Sequence, residues 1–115
     1  MQKEKSLDWV YACNLQDIVP STGACALVNN KQVAIFRLEN DALYAIDNFD
    51  PFSQANVLYR GITGDLKGKT VVASPIYKQH FCLETGACLE KPEVIIQCFQ
   101  VKQEGHEVWV STTKA

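Results

Sequence analysis

Along most of the chain the apolar positions recur at the two-residue period of β-strands, not at the helical period of 3.6. "LDWVYACNL" (7–15) suits a first strand. "QDIVPSTG" (16–23) reads as a connection with room for one helical turn before Pro20 stops it. The clearest local signal is "ACALVNNKQVAIFRLE" (24–39), where two apolar runs flank Asn29-Asn30. Asparagine tolerates the positive φ that a tight type I′ hairpin turn demands. A second polar turn, Glu39-Asn40-Asp41, leads into "ALYAIDN" (42–48), so these segments predict an antiparallel meander.

The middle of the chain breaks the pattern. "NFDPFSQANVLYRG" (48–61) mixes aromatics with turn formers and keeps no period, which predicts a long ordered loop. Strand character resumes in "DLKGKTVVASP" (65–75), with a turn at Gly68, and again in "HFCLETG" (80–86). Between them "ASPIYKQ" (73–79) reads as a second rigid loop. "EVIIQCFQVKQEGHEVWVST" (93–112) predicts a closing hairpin turning near Glu104-Gly105. The expectation is one all-β domain over 1–115, an antiparallel sandwich or barrel of short strands with two loops projecting from one end.

Composition narrows the chemistry. A formal net charge of −2, without clustered Lys or Arg, predicts no nucleic-acid partner. The opening "MQKEKSLDWV" is charged and no run is long enough to span a bilayer, so a cytoplasmic chain without membrane association is expected. The five cysteines (Cys13, Cys25, Cys82, Cys88 and Cys98) lack CxxC spacing and argue against a disulfide framework. Cys13, Cys25 and Cys98 lie in apolar runs and are expected to be small buried hydrophobes.

Candidate chemistry is sparse. His80 and His106 stand in no constellation with Ser or Cys, and His106 is expected to be a solvated turn residue. No glycine-rich phosphate loop is present. His80, Cys82 and Cys88 fall within nine residues and pair imidazole with thiol, but a fourth soft ligand is missing; packed or half-exposed side chains are the expectation. Cys88 has no basic neighbour to make it reactive.

Taken together, the two irregular loops carry a resemblance. "AIDNFDPF" (45–52) and "VVASPIYKQHFCLETG" (71–86) resemble the two cluster-binding loops of Rieske-type iron–sulfur proteins. In that family one loop carries Cys-x-His and the other Cys-x-x-His, holding a [2Fe–2S] centre through two thiolates and two imidazoles. The framing residues "LYAIDN", Pro51, "VVAS", Pro75 and "FCLETG" match, whereas the ligand positions fall on Asp50, Phe52, Ser74 and Tyr77. The resemblance therefore implies a Rieske-like fold that holds no cluster and no other cofactor. The opening pattern from Trp9 to Val28 and the length further resemble the small-subunit family of bacterial NAD(P)H-dependent nitrite reductases, over roughly residues 7 to 112. That resemblance implies a non-catalytic accessory subunit of an oxidoreductase that reduces nitrite to ammonium. Its partner is a large subunit carrying FAD, an iron–sulfur cluster and sirohaem.

In such a subunit, Phe52 and Tyr77 are expected to fill the space a cluster leaves, or, with Phe49 and Ile76, to form an apolar tip that docks on the partner. Asp47, Asp50, Arg60, Lys78 and Gln79 form its expected polar rim. Two other functions compete with this one. The first is an electron carrier holding a cluster through atypical ligands among Asp50, His80, Cys82 and Cys88. The second is a cluster-free Rieske-like subunit of a different oxidoreductase.

Overall fold

The computed structural model describes residues 8–112. Eleven strands succeed one another: β1 (Trp9–Asn14), β2 (Thr22–Val28), β3 (Lys31–Arg37), β4 (Leu43–Asp47), β5 (Phe49–Asp50), β6 (Ala55–Asn56), β7 (Ile62–Leu66), β8 (Lys69–Ala73), β9 (His80–Cys82), β10 (Cys98–Glu104) and β11 (Glu107–Ser111). Short 3-10 turns sit at Leu15–Asp17 and Leu58–Arg60. Among the described residues no helix is long and apolar enough to cross a membrane.

Six strands form one antiparallel sheet in the order β1-β11-β10-β4-β3-β2, and its edge strands β1 and β2 approach each other, so the sheet is nearly closed. A three-stranded sheet, β7-β8-β9, and the small β5-β6 ribbon complete the fold. Turn chemistry sets these registers. Asn29 and Asn30 take φ of 50° and 67°, closing β2–β3 as the type I′ pattern predicts. Lys67 and Gly68 repeat the device between β7 and β8 with φ of 53° and 78°.

Two apolar clusters hold the layers together, and β3 divides them. Val33 and Ile35 face the interior of the nearly closed sheet beside Val28, Phe99, Val108 and Val110. Ala34 and Phe36 face the other way, toward Leu58, Val72, Phe81 and Leu83. All four of these β3 residues are fully buried, which is why "VAIF" reads as an unbroken apolar run and not as an alternating one. Ala45 and Ile46 on β4 split the same way.

Several expectations need correction. The strand expected to resume at Asp65 starts earlier, at Ile62, with Ile62–Gly64 paired to Val71–Ala73. The last hairpin starts at Cys98, not Glu93; Val94–Ile96 instead bonds the segment after β9, through Cys88 N–H to the Val94 carbonyl and Ile96 N–H to that of Gly86. Gly86 is required there: φ is 83°, and a Cβ would meet the Ile96 carbonyl oxygen at 2.0 Å. Of the three cysteines expected inside, Cys13 and Cys98 are half-buried and Cys25 is exposed, because β2 is an edge strand; Cys82 and Cys88 are the buried pair. Leu7 lies outside the described residues.

Candidate functional site

Loop one runs from β5 to β6, and loop two from Ser74 to Gln79, between β8 and β9. Both are built from side chains that cap their own turns. Asp50 Oδ1 accepts the Phe52 N–H at 3.0 Å, and the Asp50 carbonyl accepts the Gln54 N–H at 2.7 Å. In loop two, Ser74 Oγ accepts the Ile76 N–H at 3.3 Å and the Ser74 carbonyl accepts the Lys78 N–H at 3.1 Å. Such side-chain turns are what Asp and Ser form locally.

The two caps meet. The Ser74 hydroxyl donates to Asp50 Oδ2 at 2.5 Å, and both residues are fully buried. These are the two positions at which the Rieske pattern has cysteine. A direct O–H···O hydrogen bond thus joins the loops at the two cysteine positions of that pattern. This also corrects Asp50 as a rim residue, because its carboxyl is turned inward.

The two histidine positions part company. Phe52 is half-buried and packs on Phe81, with ring centroids 6.0 Å apart. Tyr77 does not fill the space between the loops: it is 59% exposed, beside Ile76 at 46%. The loop reverses through Lys78, at φ 66°, which sends Ile76 and Tyr77 outward. Phe49 is 39% exposed on β5.

Two supports went unread in the sequence. Asn48 is fully buried, and its amide donates to Gln32 Oε1 and to the Asn56 carbonyl, each at 3.1 Å, while Oδ1 accepts the Tyr59 N–H at 2.8 Å. It pins loop one to β3 and to the following 3-10 turn. Glu90 braces the far end of loop two, accepting the His80 N–H at 2.8 Å and lying 2.6 Å from His80 Nδ1. Burial raises the Glu90 pKa, but the His80 N–H and ring outweigh it and hold the carboxyl below its usual range. A depressed folded value means that this support is present above the unfolded carboxylate range and is lost as pH falls through the folded value. Glu90→Ala is therefore expected to lower the unfolding free energy read from urea titration near neutral pH, by about 1 kcal/mol or less given its exposure, and to converge on the parent chain in acid.

His80, Cys82 and Cys88 do not assemble into a metal centre. His80 is engaged with Glu90, the Cys88 thiol lies 3.6 Å from Glu90 Oε1, and no group of three or more His, Cys, Asp or Glu among the described residues is placed to hold a metal. His106 is exposed, with Nδ1 3.1 Å from Gln16 Nε2. The loop positions do not fit a [2Fe–2S] cluster either. Asp50 and Ser74 offer hard oxygens already bonded to each other, Phe52 offers only carbon, and the Tyr77 ring faces outward. The nearby buried atoms without a partner, Ser53 Oγ and Gln79 Oε1, are hard oxygens as well.

The nearly closed antiparallel sheet, the loop pair and the four ligand positions define a Rieske-like domain, and the family model for the Rieske-like [2Fe-2S] domain matches residues 8–111. Within that class the chain belongs to the small-subunit family of nitrite reductases. It is 41% identical over 95 residues to the nitrite reductase (NADH) small subunit of Escherichia coli K12, covering 82% of this chain and 88% of that one. The solution structure of the nitrite reductase [NAD(P)H] small subunit from Erwinia carotovora superposes with a TM-score of 0.79 at 44% identity, over 93% of this chain and 83% of that one. A third relative is the nitrite reductase [NAD(P)H] large subunit of Klebsiella oxytoca, 40% identical over 105 residues that make up 91% of this chain and only 11% of the larger protein.

Proposed function

We propose that this chain is a non-catalytic accessory subunit of a cytoplasmic NAD(P)H nitrite reductase and acts by docking on the large subunit. On this reading the partner carries the FAD, the iron–sulfur cluster and the sirohaem, and this chain binds none of them. The observation that carries the proposal is the contrast within the two loops: a Ser74–Asp50 hydrogen bond closes two of the ligand positions, while Phe49, next to Asp50 in the chain, and Ile76 and Tyr77, two and three residues after Ser74, are exposed. Exposed aromatic and aliphatic side chains on a braced loop are what an interface core uses. Phe52 supports this tip from behind through Phe81, and Arg60 and Lys78 supply an exposed polar rim. The Klebsiella oxytoca relative adds support, because there a matching stretch lies within the large-subunit chain itself.

Affinity capture of the tagged chain from cells grown on nitrate tests the reading. The expected result is recovery of a protein with sirohaem absorbance, together with a colourless small subunit after the two are separated. Capture of a different oxidoreductase, or a purified small subunit that absorbs in the visible with matching iron, contradicts it.

A further inference from the structure

The three tip residues alone are small for a stable contact. With about 150–250 Å² for a whole large side chain, the exposed fractions of Phe49, Ile76 and Tyr77 offer about 200–350 Å² together. A specific protein–protein contact covers about 800 Å² on each partner. The tip supplies less than half of that, so a stable complex must cover neighbouring surface as well.

Strand register shows where that surface continues. Ala34 and Phe36 of β3 lie in the second apolar cluster, on the side where the loops pack, and Gln32 shares their face by the two-residue period. Residues directly opposite one another in an antiparallel pair share a face. Leu27 pairs with Gln32 and Cys25 with Ala34, so both β2 side chains lie on the loop side. Because β2 is an edge strand they are uncovered there: Cys25 is exposed, and Leu27 is 69% exposed. A single exposed leucine is ordinary; continuity with the tip gives this one weight. The Asn48 amide that donates to Gln32 Oε1 also lies 3.5 Å from Cys25 Sγ. It donates as well to the carbonyl of Asn56, which pairs with Phe49 across the β5–β6 ribbon. Gln32 and Asn56 are exposed, so Leu27, Cys25, Gln32, Asn56 and Phe49 form one strip, held from beneath by the buried Asn48. None of the five carries a charge, in keeping with the core of a protein interface.

We propose, resting on the docking reading given above, that the contact with the large subunit runs from the tip along this strip to Leu27, and that the partner meets it with an uncharged, largely apolar face. Leu27 is then an anchor at the far edge of the contact, and Cys25 is covered when the complex forms. Val19 provides the reference. It is 64% exposed, close to Leu27 in that respect, but it precedes the other end of β2, where Thr22 pairs with Arg37.

Titration of the large subunit with the intact chain tests this, beside N-ethylmaleimide labelling of Cys25 read by peptide mass spectrometry. Leu27→Glu is expected to weaken binding about tenfold or more while the melting point stays near that of the parent, because the side chain is exposed. Val19→Glu should bind like the parent. Cys25 should be labelled severalfold more slowly in the complex than in the free chain. A parent chain that does not bind the large subunit at all sinks the docking reading, and this inference with it. Binding that is weakened by alanine at Ile76 and Tyr77 but not by Leu27→Glu overturns the strip alone, and so does Cys25 labelling that is equally fast free and bound. A parent chain that dimerises, and becomes monomeric with Leu27→Glu, assigns the strip to a second copy and overturns it too.

Discussion

Replacing Ile76 and Tyr77 together by alanine is expected to weaken binding to the large subunit by about thirty- to a hundredfold, while the melting point of the isolated chain moves by less than about 3 °C. The two expectations come from the same geometry. Both side chains are largely exposed on a loop whose turn is held by main-chain and Ser74 contacts, so their removal opens no cavity. Surface substitutions of that kind change folding stability by about 0.5 kcal/mol or less. At an interface, the same groups lose the apolar area that anchors the contact, about 2 kcal/mol or more for a central aromatic. Phe52→Ala serves as the counter-experiment. Phe52 packs on Phe81 within the second apolar cluster, so its loss should appear in the melting curve, toward the lower end of the about 3–5 kcal/mol of a buried aromatic truncation. Titration of each variant against the large subunit, beside a thermal melt, separates the roles. A lowered melting point with unchanged affinity for the Ile76/Tyr77 variant would assign those residues to folding.

Breaking the oxygen bridge between the loops should act the other way, on stability first. Ser74→Ala leaves the buried Asp50 carboxyl without the hydroxyl it accepts and the Ile76 N–H without its acceptor, and Asp50→Ala strands both the Ser74 hydroxyl and the Phe52 N–H. A buried polar group left unpaired costs about 1–3 kcal/mol, so each substitution is expected to cost at least that much. The double variant should cost less than the sum of the singles, since the second substitution removes a group already stranded by the first. Urea unfolding of all four proteins reads the coupling directly. Strict additivity would mean that the two side chains do not act as one connection.

How much of this was legible beforehand depends on where the information lies. The Asn29-Asn30 hairpin was readable because left-handed turns demand particular residues; that β3 is buried on both faces went unread, although its apolar run is continuous. The loop frames were readable through resemblance, which also located Asp50 and Ser74. Their bond was not, because the residues are 24 positions apart and nothing local brings them together. The His80–Glu90 brace was hidden for the same reason at ten positions. Asn48 looked like an ordinary strand-ending turn residue, and only the burial of its amide reveals it as a post. The first three residues of β7, Ile62–Gly64, fall unassigned between the expected loop and the strand expected to resume at Asp65; nothing lies within 4 Å of where a Gly64 Cβ would be, so the strand does not need the glycine. Which cysteines lie inside depends on strand position within the sheet, and periodicity alone does not tell an edge strand from a central one.

The dividing strand β3 has a consequence for recognition. Its residues wall both apolar clusters at once, and Asn48 and Gln32 tie loop one to that same wall. The exposed tip is therefore preorganised: the entropy lost in fixing it belongs to the folding of the whole chain. If the proposed docking holds, an approaching protein would meet a finished surface and need not order one, which would leave more of the contact energy available as affinity.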